Sequence, residues 1–359
     1  MNHKEHIQNV IGYFNSINAS PIEVDEERIE QQLENAYQSQ SLLIKIMSVL
    51  GGFLASLAFV GFLFMIGIYR SEFSLLFFGF LFIVAAIWMI KTYKTILFET
   101  MSVSFYMIGF LMVGFGLGEM KLAEVYIPNT YILLSLITFC LVQNYLLNFV
   151  ALQIINGSIL FLIFNYHAVL LLNVYVGFLA ILLTAVCIKE SFLLTYHSIS
   201  KNLFKPIVSG LFIAFIISLS YLAKEIAVFK VTIIHYHAIS LAFILFPLIY
   251  LLLDVFKKME INKQVVKVSI CVATVLLLIP TVIFPAIAGA LLIILLGFWS
   301  SHNAAFVLGV LSCMYFVAQC YYDLEYTLLT KSIMLFITGI LFCSIYFLTV
   351  KKLSSNEAV

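Results

Sequence analysis

Apolar runs long enough to cross a lipid bilayer recur from residue 41 to residue 350, and charged residues occur almost only between them. A helix needs about 20 mostly apolar residues to cross the hydrocarbon core, where the backbone must satisfy its own hydrogen bonds. The chain is 63% hydrophobic and 10% charged, whereas about a quarter of the residues of a soluble domain are charged. The sequence therefore predicts an all-α integral membrane protein.

The runs predict a bundle of about twelve transmembrane helices. The stretch 265–299 is too long for one crossing and short for two, and Pro280 and Pro285 divide it, so we expect a tight hairpin or a pair of broken helices there. The predicted spans are 44–68, 73–90, 97–118, 130–147, 150–166, 168–188, 206–223, 237–255, 265–284, 286–298, 304–320 and 331–349.

The lysines and arginines predict the orientation of this bundle. In a twelve-span layout, fourteen of the nineteen fall on the side of the N-terminus. Because cytoplasmic loops are enriched in Lys and Arg, this asymmetry favours both termini in the cytoplasm and an even number of spans. The transmembrane domain then covers residues 44–350, and residues 351–359 form a cytoplasmic tail.

Residues 1–43 form a separate acidic segment, with seven acids against Lys4 and Arg28. The sequence Ser20-Pro21-Ile22-Glu23 is typical of a capped helix start. We expect a small cytoplasmic helical hairpin. It serves either as a solvated leader of the first span or as a docking site for a partner.

The motifs of the common enzyme and cofactor sites are absent from the sequence, including the zinc-protease, serine-hydrolase, phosphate-loop and dinucleotide-binding patterns. The six cysteines fall inside predicted spans and form no CxxC pair. No catalytic, cofactor-binding or metal-binding residue is predicted, and no binding of nucleic acid.

Five amides cluster around the predicted turn between the fourth and fifth spans. Two interpretations are open: the amides line a polar cavity for a neutral ligand, or they satisfy one another across a tight hairpin. The five residues are Gln143, Asn144, Asn148, Gln153 and Asn156.

Polar and aromatic residues are densest around the predicted turn before the last span. Tyrosines there can place their rings at headgroup level, as in an aromatic belt, and the charges lie in a short outer loop. The segment is either a plain interface turn or a functional surface. Its candidate residues are Trp299, His302, Tyr321, Tyr322, Asp323, Glu325, Thr327, Lys331 and Ser332.

The same segment carries a resemblance over about residues 299–340. Tyr321-Tyr322, the run Thr327-Leu328-Leu329, Lys331-Ser332 and a glycine in the last span resemble an uncharacterised bacterial polytopic membrane family, domain of unknown function 4401. The resemblance implies a bacterial cytoplasmic (inner) membrane. It also implies a possible partner, an exported protein with a GDYxxLxY motif that would be a separate polypeptide here. It supplies no reaction and no catalytic residue.

These observations favour a non-enzymatic component that works with an exported or membrane partner through its outer face. The alternative is a small-molecule permease or flippase. The amide cluster and the helix break at Pro280 and Pro285 support it. An intramembrane enzyme is the third reading. The predicted outer loops are too short to hold a catalytic domain.

Overall fold

The structure is a computed structural model that describes residues 51–340 with gaps. The gaps cover parts of 51–70, residues 94–95, 122, 190–200, 230–233, 259–263 and 301, and most of 324–338. The predicted cytoplasmic hairpin and the C-terminal tail lie outside the described residues.

The described residues form ten complete α-helices and no strand. Further helical residues lie within 51–66 and within 329–340. In chain order the helices are α1 (Glu72–Thr92), α2 (Ile96–Glu119), α3 (Tyr126–Leu141), α4 (Tyr145–Asn165), α5 (Val169–Ile188), α6 (Lys201–Phe229), α7 (Ile234–Lys258), α8 (Gln264–Leu278), α9 (Pro285–Trp299) and α10 (Asn303–Asp323).

Seven of these helices are long and apolar enough to cross a membrane: α1, α2, α4, α5, α6, α7 and α10. Three shorter apolar segments lie in α3, α8 and α9. The described part of the chain is therefore all-helical, and its long apolar helices indicate a multi-pass membrane protein. The full count of twelve crossings stays a prediction. Each predicted span from 73–90 to 304–320 coincides at least in part with a described helix.

The turn between α3 and α4 lies earlier than the sequence predicted. α3 ends at Leu141, and α4 begins at Tyr145. Asn144 sets this start because its side chain accepts hydrogen bonds from the backbone N–H groups of Leu146 and Leu147, which no residue within the helix could satisfy. Asn148 therefore lies inside the first turn of α4.

The apolar stretch 265–299 is divided near its two prolines. α8 ends at Leu278, a short 3-10 turn follows over Ile279–Val282, and Pro285 opens α9. Proline suits the first turn of a helix because its missing N–H would have no partner there.

The helices pack in two groups that share α4. One core cluster joins α1, α2 and α4, and includes Tyr106, Leu147 and Ala151. The larger cluster includes Leu160 of α4 and extends over α5, α6, α7, α9 and α10, with Phe215 at full burial. α6 contacts α4, α5, α9 and α10, and 61% of its crossing segment is buried, the highest share among the seven spans. α6 is therefore the centre of the second group.

Glycines allow the closest helix contacts. A Cβ atom on Gly109 of α2 would lie 2.8 Å from the carbonyl oxygen of Gly79 on α1, and one on Gly297 of α9 would lie 2.6 Å from the backbone nitrogen of Phe306 on α10. Small residues at such crossings let backbones approach and gain dispersion contacts, which is how helices associate in lipid.

Candidate functional site

Asn156, near the middle of α4, joins three helices. Its side-chain oxygen accepts hydrogen bonds from the hydroxyl groups of Tyr175 on α5 (2.7 Å) and Ser218 on α6 (3.3 Å). Its amide nitrogen donates to the carbonyl oxygen of Ala214 on α6 at 3.4 Å. Asn156 is buried. Its polar groups are therefore satisfied within the bundle, as the hydrocarbon region requires.

Gln153 lies one turn before Asn156 and also reaches α6. Its amide nitrogen donates to the carbonyl oxygen of Gly210 at 2.9 Å. Nearer the start of α4, the hydroxyl group of Tyr145 donates to Ser209 at 3.1 Å. Hydrogen bonds between α4 and α6 thus extend over more than three turns of helix.

The amides at the start of α4 bond in another direction. Asn144 donates from its side-chain nitrogen to Glu99 on α2 at 3.1 Å. Asn148 donates to the carbonyl oxygen of Val142, back across the turn, at 2.8 Å. Gln143 is exposed. The five predicted amides therefore lie at one α3–α4 turn and along one helix, but their hydrogen-bond partners differ: α2, the turn itself, α5 and α6.

Several buried acceptors of the bundle have no hydrogen-bond donor among the residues that the structure describes. They include the side-chain oxygens of Asn148 and Gln153 on α4 and of Asn173 on α5. Buried polar groups are normally hydrogen-bonded, so these oxygens are exceptions within the described part of the chain.

The structure separates the residues of the predicted C-terminal surface. Trp299 and His302 flank the turn before α10, whereas Tyr321, Tyr322 and Asp323 form its last turn. α10 has 21 residues, and at about 1.5 Å per residue its ends are about 30 Å apart. Ser332 is exposed on a helical segment, and Glu325, Thr327 and Lys331 lie outside the described residues.

The end of α10 has an unusual pair of acceptors. Oε1 of Gln319 and Oδ2 of Asp323 are both buried without a donor in the described part of the chain. The two residues are four positions apart and so share a helix face. The rings of Tyr321 and Tyr322 pack edge to face at 5.7 Å, and Tyr322 is 79% exposed.

Sequence reasoning missed four of the residues that matter here. Tyr175, Ser218 and Gln319 are polar groups inside apolar runs, and no motif marks them. Glu99 stands near a helix end, where a charge is expected to face water, yet it bonds Asn144. In the described ranges, no three His, Cys, Asp or Glu residues are placed to hold a metal ion.

Comparison with known proteins places the chain in a family. Residues 41–352 match the model of a family described as a domain of unknown function, DUF4401. The match covers most of the chain, so the chain belongs to this family, which confirms the resemblance drawn from residues 299–340. Neither the curated proteins nor the solved structures contain a match.

Proposed function

We propose that this member of the DUF4401 family is a non-enzymatic component of a membrane complex, and that it binds its partner at the C-terminal end of α10. The observation that carries the proposal is the pair of buried acceptors on Gln319 and Asp323. A buried carboxylate oxygen without a donor is costly, and a partner that supplies an N–H group or a cation would remove that cost.

The surroundings of the pair suit a docking surface. α10 is the least buried of the seven crossing helices, at 22% of its crossing segment. Tyr322 projects beside the pair, and tyrosine is enriched at the buried centres of protein interfaces. The chain's own atoms cover the two oxygens, so a partner that covers the aromatic ring would donate to them after a shift of the last turn of α10.

The orientation of the chain decides which partners can reach this surface. We place both termini in the cytoplasm of a bacterium and the end of α10 outside its inner membrane. The excess of Lys and Arg on the side of the N-terminus supports this placement. The family resemblance suggests a separate exported protein with a GDYxxLxY motif as the partner. This protein would then lie on the same side of the membrane as the end of α10.

Site-specific photo-crosslinking in native membranes tests the proposal. A photoreactive amino acid at Tyr322 should capture one discrete exported or membrane protein. Tyr166, at the end of α4, is 62% exposed and is the matched control. Asp323→Asn should reduce the captured amount more than tenfold, since loss of one partner of a buried charged pair costs about 2–5 kcal/mol. Equal capture at Tyr166, or capture that Asp323→Asn leaves unchanged, would refute the proposal.

The chain's own Lys331 is the competing donor for Asp323. If Lys331 fills this role, Lys331→Met should lower the melting temperature of the purified chain. The exchange Asp323→Lys with Lys331→Asp should then restore it. If Asp323 instead awaits a partner, Lys331→Met should leave partner capture intact.

A small-molecule permease or flippase is the second candidate, supported by the buried amide oxygens of Asn148, Gln153 and Asn173 that have no donor among the described residues. A neutral solute that carries hydroxyl or amide donors would suit them in a conformation that opens the bundle, since Asn148 and Asn173 are fully buried in this one. Proteoliposomes should then swell faster in glycerol or urea gradients than empty vesicles do. The double variant Asn148→Ala, Gln153→Ala should abolish the difference.

A further inference from the structure

An open groove of about 380 Å³ runs between α3 and α4. Its α3 wall is formed by Ile127, Pro128 and Tyr131, in the first turns of that helix. Its other wall is the second half of α4, on the side away from Gln153 and Asn156. That wall is formed by Ile154, Gly157, Ser158 and Phe161.

The lining is almost wholly apolar. The two hydroxyl-bearing side chains in it are Tyr131 and Ser158. The hydroxyl group of Tyr131 is already used, because it donates to the backbone carbonyl of Phe110 on α2. The groove thus offers an occupant dispersion contacts and almost no hydrogen bonds.

Gly157 keeps the groove open. A Cβ atom added at this glycine would meet no atom within 4 Å. The position lies inside the crossing segment Tyr145–Asn165, so the surrounding medium is hydrocarbon. A transmembrane helix is about 10–12 Å across with its side chains, too wide for a groove of this volume, whereas a single hydrocarbon chain is slender enough to lie in it.

The adjacent turn between α2 and α3 bears both signs of charge. Glu119, Lys121 and Glu124 are all exposed there. Tyr126 opens α3 and Tyr166 follows α4, and they are 56% and 62% exposed. Exposed tyrosines at helix ends are typical of the headgroup level. Carboxylates beside an ammonium group complement a headgroup that itself carries one cation and one anion.

We propose that this groove is a binding site for one acyl chain of a zwitterionic glycerophospholipid. Bulk lipid tails are as apolar as the groove, so retention depends on the packing of the chain against α3 and α4 and on the headgroup contacts. The proposal is independent of partner binding at α10.

Substitution of Gly157 by Leu tests the site, because the new Cβ would meet no existing atom within 4 Å and the rest of the side chain would take up volume in the groove that Gly157 lines. Gly61→Leu is the matched control. A Cβ at Gly61 also meets nothing within 4 Å, and this glycine does not line the groove. Native mass spectrometry of the full chain in mild detergent should show one retained phospholipid in the parent and in Gly61→Leu. Gly157→Leu should lower the retained fraction at least fivefold.

A second measurement keeps the test decisive if retention is low. After delipidation, phosphatidylethanolamine should raise the melting temperature of the parent and of Gly61→Leu by several degrees, because a ligand that binds only the folded state stabilises it. Gly157→Leu should not respond, and phosphatidylglycerol should act more weakly on the parent. An equal response in all three proteins would overturn the proposal. It would also be overturned if the parent retained another protein at the groove instead of a lipid and Gly157→Leu released that protein.

Discussion

At the scale of single residues, Asn156 explains how polar groups are accommodated inside this bundle. It has one acceptor and one donor group, and they contact Tyr175, Ser218 and the Ala214 carbonyl on two other helices. In lipid the hydrophobic effect does not drive helices together, so hydrogen bonds of this kind contribute to association and fix which faces meet. Asn156 therefore specifies the junction of α4, α5 and α6.

A double-mutant cycle on Asn156 and Tyr175 should reveal this coupling. Asn156→Ala should destabilise the chain by about 1–3 kcal/mol, because the Tyr175 hydroxyl loses its acceptor, whereas Ser218 still donates to the Ala214 carbonyl at 2.8 Å. Combined with Tyr175→Phe, the loss should be less than additive by about 0.6–1.7 kcal/mol, the range of membrane hydrogen-bond cycles. The free energy of unfolding of each variant in mixed micelles measures these losses.

Ser220→Ala is the control for that cycle. The hydroxyl group of Ser220 bonds the Ile216 carbonyl within its own helix at 2.9 Å. Its removal should cost little and should add independently to Asn156→Ala. Strict additivity between Asn156 and Tyr175 would mean that their contact contributes nothing to stability.

At the scale of elements, the α1–α2 pair is built on close backbone contact. Gly79 and Gly109 face each other, and a Cβ on either would approach the carbonyl oxygen of the other to 3.0 Å or less. Ser102 of α2 also donates a hydrogen bond to the Ala86 carbonyl of α1. The pair therefore depends on small residues at the crossing and on a polar contact between the two helices.

Gly109→Ala should separate α1 from α2. The new methyl group would lie 2.8 Å from a backbone oxygen and 2.6 Å from Cγ1 of Ile83, so backbones must move, at a cost of about 1–3 kcal/mol. The melting temperature in detergent measures the effect. Gly118→Ala, where the methyl group meets open space, should leave the melting temperature unchanged or slightly raised. Equal effects of the two variants would contradict the close crossing.

At the scale of the whole molecule, α4 connects the two helix groups. Leu147 and Ala151 belong to the cluster with α1 and α2, while Leu160 belongs to the larger cluster around α6. Its third face borders the groove with α3. One helix thus contributes to both cores, to the polar junction and to the proposed lipid site.

Cysteine-accessibility labelling should establish the orientation of the whole chain. In a functional variant without the six native cysteines, single cysteines near residues 20 and 355 should react only from the cytoplasmic side, and one near residue 325 only from the outside. The charge asymmetry of the loops is the physical reason. Reaction of the two termini from opposite sides would show an odd number of spans, and the division of 265–299 would be the first assignment to revise.

The sequence alone was enough to predict the membrane class, the all-α architecture and the approximate positions of most helices. The reason is that transfer of a residue between water and lipid is a local property, so the alternation of apolar runs and charges can be read along the chain. The sequence also singled out Gln153 and Asn156 as members of the amide cluster, and the structure directs both toward α6.

Only the tertiary structure decided which faces pack and what the polar groups contact. The described helices are apolar nearly all round. A side chain that faces lipid is as apolar as one that faces another helix, so hydropathy does not reveal which side of a helix is buried in the bundle. Tyr175 and Ser218 became partners of Asn156 through helix packing. The same packing left Gln319 and Asp323 with unpartnered oxygens in the described part of the chain, and opened a groove beside Gly157. These contacts depend on residues distant in sequence, which the local pattern of hydropathy does not encode.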